Sequence, residues 1–566
     1  MGDAQKAKTD RSISRHEWVI VLIVALIMAG FTILPYWVGY RAALDGTVFT
    51  GAIMNPEDTH TYFAKMLQGF NGRWLYTIVF TPEPHDPLFL GGFYLALGHI
   101  ARATGLTLDA VWHLARITAV FILTFTTYWF IAWFVSDKKT RTAAYLLTIF
   151  GAGLGWLLFA FGQPYWLDWF PVDFKMPSAH FFFALLTYPH IILSTALLLV
   201  NFRLLLQAIE APQQQKSWLY ALGAGAANLL ITILHPLLTY LFVLIGVLFW
   251  LYLTFHKRRF LWREGVLLAI SFVPPGVMSL YYGYGLLTND VLRGWDAQRS
   301  GTVSPPWPHY LVAYAPLLIL AFLQLWKDRR DGVKRDISWA FLWVWLAAAA
   351  LLVYAPLNSQ RRFIQGVHLP LSILAATAFV GVILPWLLHT RPFQSLLTRP
   401  RYTRKKLSRF ITAVFILLMS LSNIYVIASL ITSNLIQQPD LIFRSQDEAD
   451  AVAWLRENGD KTAVLLGAYE TGNYVAALAG NQVVVGHWAE TINYDDKMAE
   501  TARFYDGQTS DAQRQELLQQ YNVVYVWHGP RERELGGFDL ETAVYLQPIY
   551  KNDTITIYAA STPVGQ

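Results

Sequence analysis

The chain has 566 residues, of which 55% are hydrophobic and only 14% charged. An ordinary soluble domain carries about 25% charged residues, so the composition excludes one and points to a membrane protein with many spans. With no Cys, thiol catalysis, Cys-ligated zinc and disulfides are excluded, and the net charge of +6 traces to loop clusters, which gives no reason to expect a nucleic-acid partner.

Residues 1–17 form a basic N-terminus with Lys6, Lys8, Arg11 and Arg15. The apolar run Trp18–Tyr36 follows; it is long and lacks a small-residue cleavage site, so it reads as a retained anchor rather than a signal peptide. Eleven spans are expected, at about 18–39, 112–135, 142–162, 181–206, 217–234, 236–255, 264–284, 308–326, 337–355, 364–388 and 410–432. The Lys and Arg residues collect in every second gap: 136–141, 203–216, 256–263, 327–336 and 389–409. Short loops rich in Lys and Arg stay in the cytoplasm. These gaps and the N-terminus are therefore expected inside, and the alternate gaps and the C-terminus outside.

The apolar stretch 87–103 needs separate treatment. If it crossed the membrane, the four basic gaps 136–141, 256–263, 327–336 and 389–409 would all face outwards. A helix lying on or dipping into the outer face avoids this and leaves a large first outer loop, 40–111.

That loop holds Glu57 and Asp58 at the start of a probable helix, followed by His60, Tyr62 and Lys65, and then by His85, Asp86 and Pro87. A helix cap is the structural alternative for Asp58. Arg116 enters the second span. Arg361 and Arg362 lie in an outer gap where the charge rule expects few cations; lipid-headgroup binding is the alternative reading there. His190 and His235 each adjoin a Pro near an outer span end, where packed, hydrogen-bonded imidazoles are also common. Convergence of Glu57, Asp58 and His85 would suit a divalent metal, but their spacing matches no standard metal motif. The cofactor is therefore left unknown.

After residue 432 the composition becomes that of a soluble protein. Short β-rich runs at 463–466, 483–485, 523–526 and 555–558 alternate with helical patterns at 446–457 and 511–521. Residues 440–566 are expected to form an extracytoplasmic α/β domain that caps the site, recognises an acceptor or is purely structural. It shows no Gly-rich phosphate loop and no evident triad.

The order of parts resembles the type-C glycosyltransferases (GT-C), with a more distant resemblance to the protein O-mannosyltransferases and aminoarabinose transferases among them. The matching positions are Glu57-Asp58, then His85-Asp86-Pro87 with the surface helix 88–103, then Arg116. The resemblance spans the whole chain, although its motifs are short. It implies an α-helical polytopic membrane protein with a GT-C-like domain at 18–432, carrying the C-terminal α/β domain. It also implies transfer of a sugar from a polyprenyl-phosphate donor to an extracytoplasmic glycan, lipid or protein acceptor at the cell (inner) membrane.

Such chemistry needs a carboxylate to take the acceptor proton and cations where charge grows on the leaving phosphate. Asp58 with Glu57 fills the first role. Arg361, Arg362, Arg116 and Lys65 are candidates for the second, with His60, Tyr62, His85, Asp86, His190 and His235 as possible lining. The Trp-Trp-Asp-Tyr-Gly signature of oligosaccharyltransferases is absent, which disfavours transfer to Asn. Two other readings stay open: a lipid-linked substrate transporter or flippase, and a non-catalytic membrane scaffold. Span interiors nearly free of charge argue against coupled transport.

Overall fold

The computed structural model describes residues 11–333 and 335–561; the basic residues Lys6 and Lys8 lie outside them. The chain divides into two compact units. Of the described residues, one contains 11–32, 116–280 and 302–429; the other contains 33–115, 281–301 and 430–561.

Among the described residues, eight helices are long and apolar enough to cross a membrane, or nine if one bent pair counts as a single span. They include Arg15–Ala42, Leu108–Phe134, Pro189–Glu210, Gln214–Leu234, Leu238–Lys257, Trp262–Thr288 and Trp307–Arg330. The protein is therefore multi-pass. Three of the eleven expected spans are not straight long helices, and each has a physical cause.

The expected span 142–162 breaks after the helix Lys138–Phe150, at Gly151-Ala152-Gly153. A Cβ at Gly153 would lie 2.4 Å from the Ala313 carbonyl oxygen, so only Gly lets the two backbones meet. The freed backbone donors find carbonyls on other helices: Ala152 N–H donates to Met419 (2.7 Å) and Leu154 N–H to Val312 (3.0 Å). Broken backbone is tolerated where protein satisfies it.

The expected span 410–432 is bent by 52° between Arg404–Met419 and Leu421–Gln437. Asn423 at this bend donates its side-chain amide to the Phe150 carbonyl (2.8 Å), which ties the bend to the break. The expected span 337–355 is the 15-residue helix Ser338–Leu352. At 1.5 Å per residue it falls short of roughly 30 Å of hydrocarbon.

Pro residues act in two ways. His235-Pro236 separates two helices, whereas Pro274 and Pro275 sit inside the continuous helix Trp262–Thr288. Within this first unit Glu17 and Arg141 form a buried ion pair at 2.8 Å, with side chains 3% and 1% exposed. The Tyr128 hydroxyl (2.7 Å) and Ser14 N–H (2.8 Å) also donate to Glu17, so the buried carboxylate is well satisfied.

The second unit differs from the expected division at residue 440. Loop 40–111 and segment 281–301 fold with the C-terminal segment. Strand β1 (Thr47–Phe49) pairs antiparallel with β2 (Phe443–Ser445). Strands β3 (Val464–Leu466), β4 (Gln482–Val483), β5 (Val523–His528), β6 (Leu546–Lys551) and β7 (Thr556–Ala560) form a five-stranded sheet in the order β4-β3-β5-β7-β6. The β3 pairs are parallel, and β7 is antiparallel to both β5 and β6.

Side chains alternate along each strand. Val464, Leu466 and Val526 face a core with Phe504, Leu517 and Leu518 from the helices Tyr494–Tyr505 and Asp511–Gln520. Leu465, Tyr525 and Trp527 face the other way. They are covered by Tyr76, Ile78 and Phe80 of the first loop, by Val291 and Leu292, and by Val475 of the helix Tyr469–Leu478. The sheet has two apolar faces, and the first loop supplies part of the cover for one of them.

The stretch 87–103 contains the 13-residue helix Gly92–Thr104, about 20 Å long and too short to span. It packs on the helix Pro56–Phe70 through glycines. A Cβ at Gly98 would lie 1.9 Å from the Met66 carbonyl oxygen, and one at Gly69 would lie 2.1 Å from that of Leu95.

Candidate active site

The first turn of the helix Pro56–Phe70 presents the acidic pair. Asn55 begins it in the left-handed conformation (φ 45°), and Pro56 follows with the φ a helix start requires. Glu57 and Asp58 then sit at the positive end of the helix dipole.

The Asp58 carboxylate is held on both oxygens. The Asn55 side-chain amide donates to Oδ2 (2.5 Å), and His487 Nε2 lies 3.1 Å from Oδ1. His487 Nδ1 accepts from the Ala489 backbone N–H at 3.2 Å, so the imidazole proton belongs on Nε2, facing Asp58. Asp58 keeps 28% side-chain exposure, while His487 is 4% exposed.

Glu57 is half-buried, and burial raises its pKa above the usual carboxylate range; the His487 ring and a hydrogen bond from Tyr469 partly oppose this. The two adjacent carboxyls thus have different environments, the condition that separates acid and base roles.

His60 is fully buried. Its Nδ1 pairs with Asn473 Oδ1 at 2.5 Å, and burial lowers its pKa to about 3, so it is a neutral packing residue at ordinary pH. Tyr62 stacks on Tyr94 with ring centroids 4.4 Å apart. Lys65 is buried against Glu490 (3.0 Å) and lies over the Tyr76 ring, so its charge is already neutralised within the unit.

His85 shapes its own loop: Nε2 accepts from Ile78 N–H (2.9 Å), and Nδ1 donates to the Glu83 carbonyl (2.8 Å). Asp86 is exposed, and its backbone carbonyl accepts from the Asn289 side chain. Among the described residues, no three His, Asp or Glu side chains gather as metal ligands.

In the other unit His190 and His235 do come together, with ring centroids 5.9 Å apart and near-perpendicular planes, and His190 stacks on Tyr188. Arg116 is 1% exposed. Arg361 and Arg362 lie half-buried in the short turn Gln360–Ile364, behind Ser359 in the left-handed region. Lys175 feels the Arg361 charge; burial first, and then that like charge, lower its pKa. Lys175, which the sequence did not single out, therefore lies near enough to Arg361 to feel its charge.

The sequence reading missed His487, Tyr469, Glu490 and Trp488. The signal was Gly486-His487-Trp488-Ala489-Glu490-Thr491, a run of titratable and aromatic residues directly after the apolar run Val483–Val485. Nothing in that run names its partner on the first loop.

No protein-family model matches the sequence, and no curated protein matches it. Solved structures do match. The archaeal oligosaccharyltransferase AglB from Archaeoglobus fulgidus, in complex with an inhibitory peptide and a dolichol-phosphate, is 15% identical over 91% of this chain and 70% of its own, with a TM-score of 0.48. The arabinofuranosyltransferase AftD from Mycobacteria is 12% identical over 97% of this chain and 42% of its own, with a TM-score of 0.47. The aminoarabinose transferase ArnT from Cupriavidus metallidurans, bound to undecaprenyl phosphate, is 12% identical with a TM-score of 0.50. That match covers 98% of this chain and 100% of ArnT. At this identity the likeness is one of fold: along nearly its whole length the chain has a fold similar to that of ArnT.

Proposed function

We propose that the protein is an integral membrane glycosyltransferase that moves a sugar from a polyprenyl-phosphate donor to an extracytoplasmic acceptor. The observation that carries this reading is the Asp58 carboxylate. It is oriented by the Asn55 amide and by His487 Nε2, and it is partly exposed. A carboxylate so placed can accept a proton. The likeness to ArnT, whose structure holds undecaprenyl phosphate, supports a polyprenyl-phosphate donor.

In this reading an acceptor hydroxyl gives its proton to Asp58, and its oxygen forms the new bond to the anomeric carbon. The bond from that carbon to the phosphate oxygen breaks, and its electron pair leaves with polyprenyl phosphate. Arg361 and Arg362, with Lys175 and Arg116 as further cations, are proposed to stabilise the charge growing on the phosphate; guanidinium groups match phosphate oxygens bidentately. Lys65 drops out of that role because Glu490 occupies it. His190 and His235 are proposed to line the donor site. The basic gaps support a cytoplasmic N-terminus and a C-terminal segment outside the cell membrane.

The test is transfer of radiolabelled sugar from polyprenyl-phosphate sugars to cell-envelope extracts by membranes carrying wild type or Asp58→Asn. Transfer by wild type that falls by about 100-fold or more in the variant supports both class and base. Equal transfer by the two would refute the base, and no transfer by wild type from any donor would favour a scaffold.

A further inference from the structure

We propose that His487 is the positioning residue of the base: its Nε2–H fixes the Asp58 carboxylate in the orientation that receives the acceptor proton. This rests on the glycosyltransferase reading above. It adds a C-terminal residue to a site that the acidic motif alone would assign to the first loop.

Three observations carry the assignment. The first is the tautomer, since Ala489 N–H occupies Nδ1 and leaves Nε2 as the donor to Asp58 Oδ1.

The second is the anchoring of the loop that bears the ring. Gly486 and His487 N–H both donate to Thr491 Oγ1, which itself donates to the Phe80 carbonyl at 2.8 Å. Glu490 accepts from Lys65 and from the Tyr76 hydroxyl, each at 3.0 Å. The Gln298 amide reaches the Thr491 carbonyl at 2.8 Å and the Trp488 carbonyl at 3.3 Å. The loop is therefore tied to the helix that carries Asp58, to the strand-like segment after it and to a third segment of the chain.

The third is the two-point hold. Asn55 donates to Oδ2 and His487 lies against Oδ1, so the carboxylate is held at both oxygens and its rotation is restricted. Misplacing a reacting group by about 1 Å costs on the order of 100-fold, which is the scale of effect a lost positioning contact should show.

The experiment measures sugar transfer by the full-length protein in membranes, comparing wild type, Asp58→Asn, His487→Leu and His487→Gln, with thermal unfolding of each solubilised variant. His487→Leu is expected to lower kcat by about 30- to 100-fold with the donor KM within about twofold of wild type. His487→Gln, whose amide can donate from nearly the same place, is expected to recover most of that loss at an unchanged Tm. Wild-type kcat in His487→Leu, with Asp58→Asn inactive, would overturn this inference and leave the proposed function standing. Loss in both His487 variants, whether with a fallen Tm or an intact fold, would also overturn it, because positioning by a hydrogen-bond donor predicts rescue. Inactive wild type would instead remove the reading on which it rests.

Discussion

Burial decides what the candidate residues can do. His60 and Asp58 lie two positions apart in sequence, yet one is sealed in the unit and the other is open on one side. Because His60 is neutral when folded, with its pKa lowered to about 3, the unfolded chain binds a proton near pH 6.5 that the folded chain refuses. Its contribution to stability is therefore complete above that pH and is lost as pH falls from about 6.5 towards 3. Thermal unfolding between pH 7 and 4 should show a flatter acid slope in His60→Gln than in wild type. The Glu17–Arg141 pair gives a second residue-level prediction. Arg141→Met leaves a buried carboxylate without its closest cation, with only Lys138 at 3.9 Å, and should destabilise the protein by about 3 kcal/mol, whereas adding Glu17→Met should restore most of it. Denaturant unfolding of the single and double variants checks this.

At the scale of elements, the long apolar runs were legible because roughly 20 consecutive apolar residues suit few structures other than a span. The break at Gly151–Gly153 and the bend at Ser420 were not, because their cause lies in neighbouring backbones: the carbonyls of Ala313, Met419 and Phe150. The same holds in the second unit. The helix Gly92–Thr104 was legible as non-spanning from the pattern of charge, and strands β3 and β5 from their apolar runs. Strands β1 and β2 were missed because each is three residues long and gains its meaning only from the other. For the candidate site, Glu57 and Asp58 could be read from one stretch of chain; His487 lies 429 residues from Asp58, and only the folded sheet supplies that link. The glycine contact between the helices Pro56–Phe70 and Gly92–Thr104 is testable by itself. Gly98→Val puts a side chain into the Met66 carbonyl and should cost at least about 1–3 kcal/mol. It should also lower transfer, because the displaced helix carries Asp58; Tm and kcat measured together check both.

For the whole molecule, the proposed reaction needs the Asp58 carboxylate on the outer side of the membrane. The charge pattern predicts its topology: on intact cells an impermeant thiol reagent should label Gln508→Cys and should not label Ser395→Cys. Labelling of Ser395→Cys would reverse the assignment of sides. The reaction itself is tested most directly by following the lipid. Purified protein in liposomes with a polyprenyl-phosphate sugar and envelope extract should release free polyprenyl phosphate in proportion to the sugar transferred, and Asp58→Asn should release almost none. Movement of intact donor across the bilayer without any release of polyprenyl phosphate would contradict the account and identify a flippase.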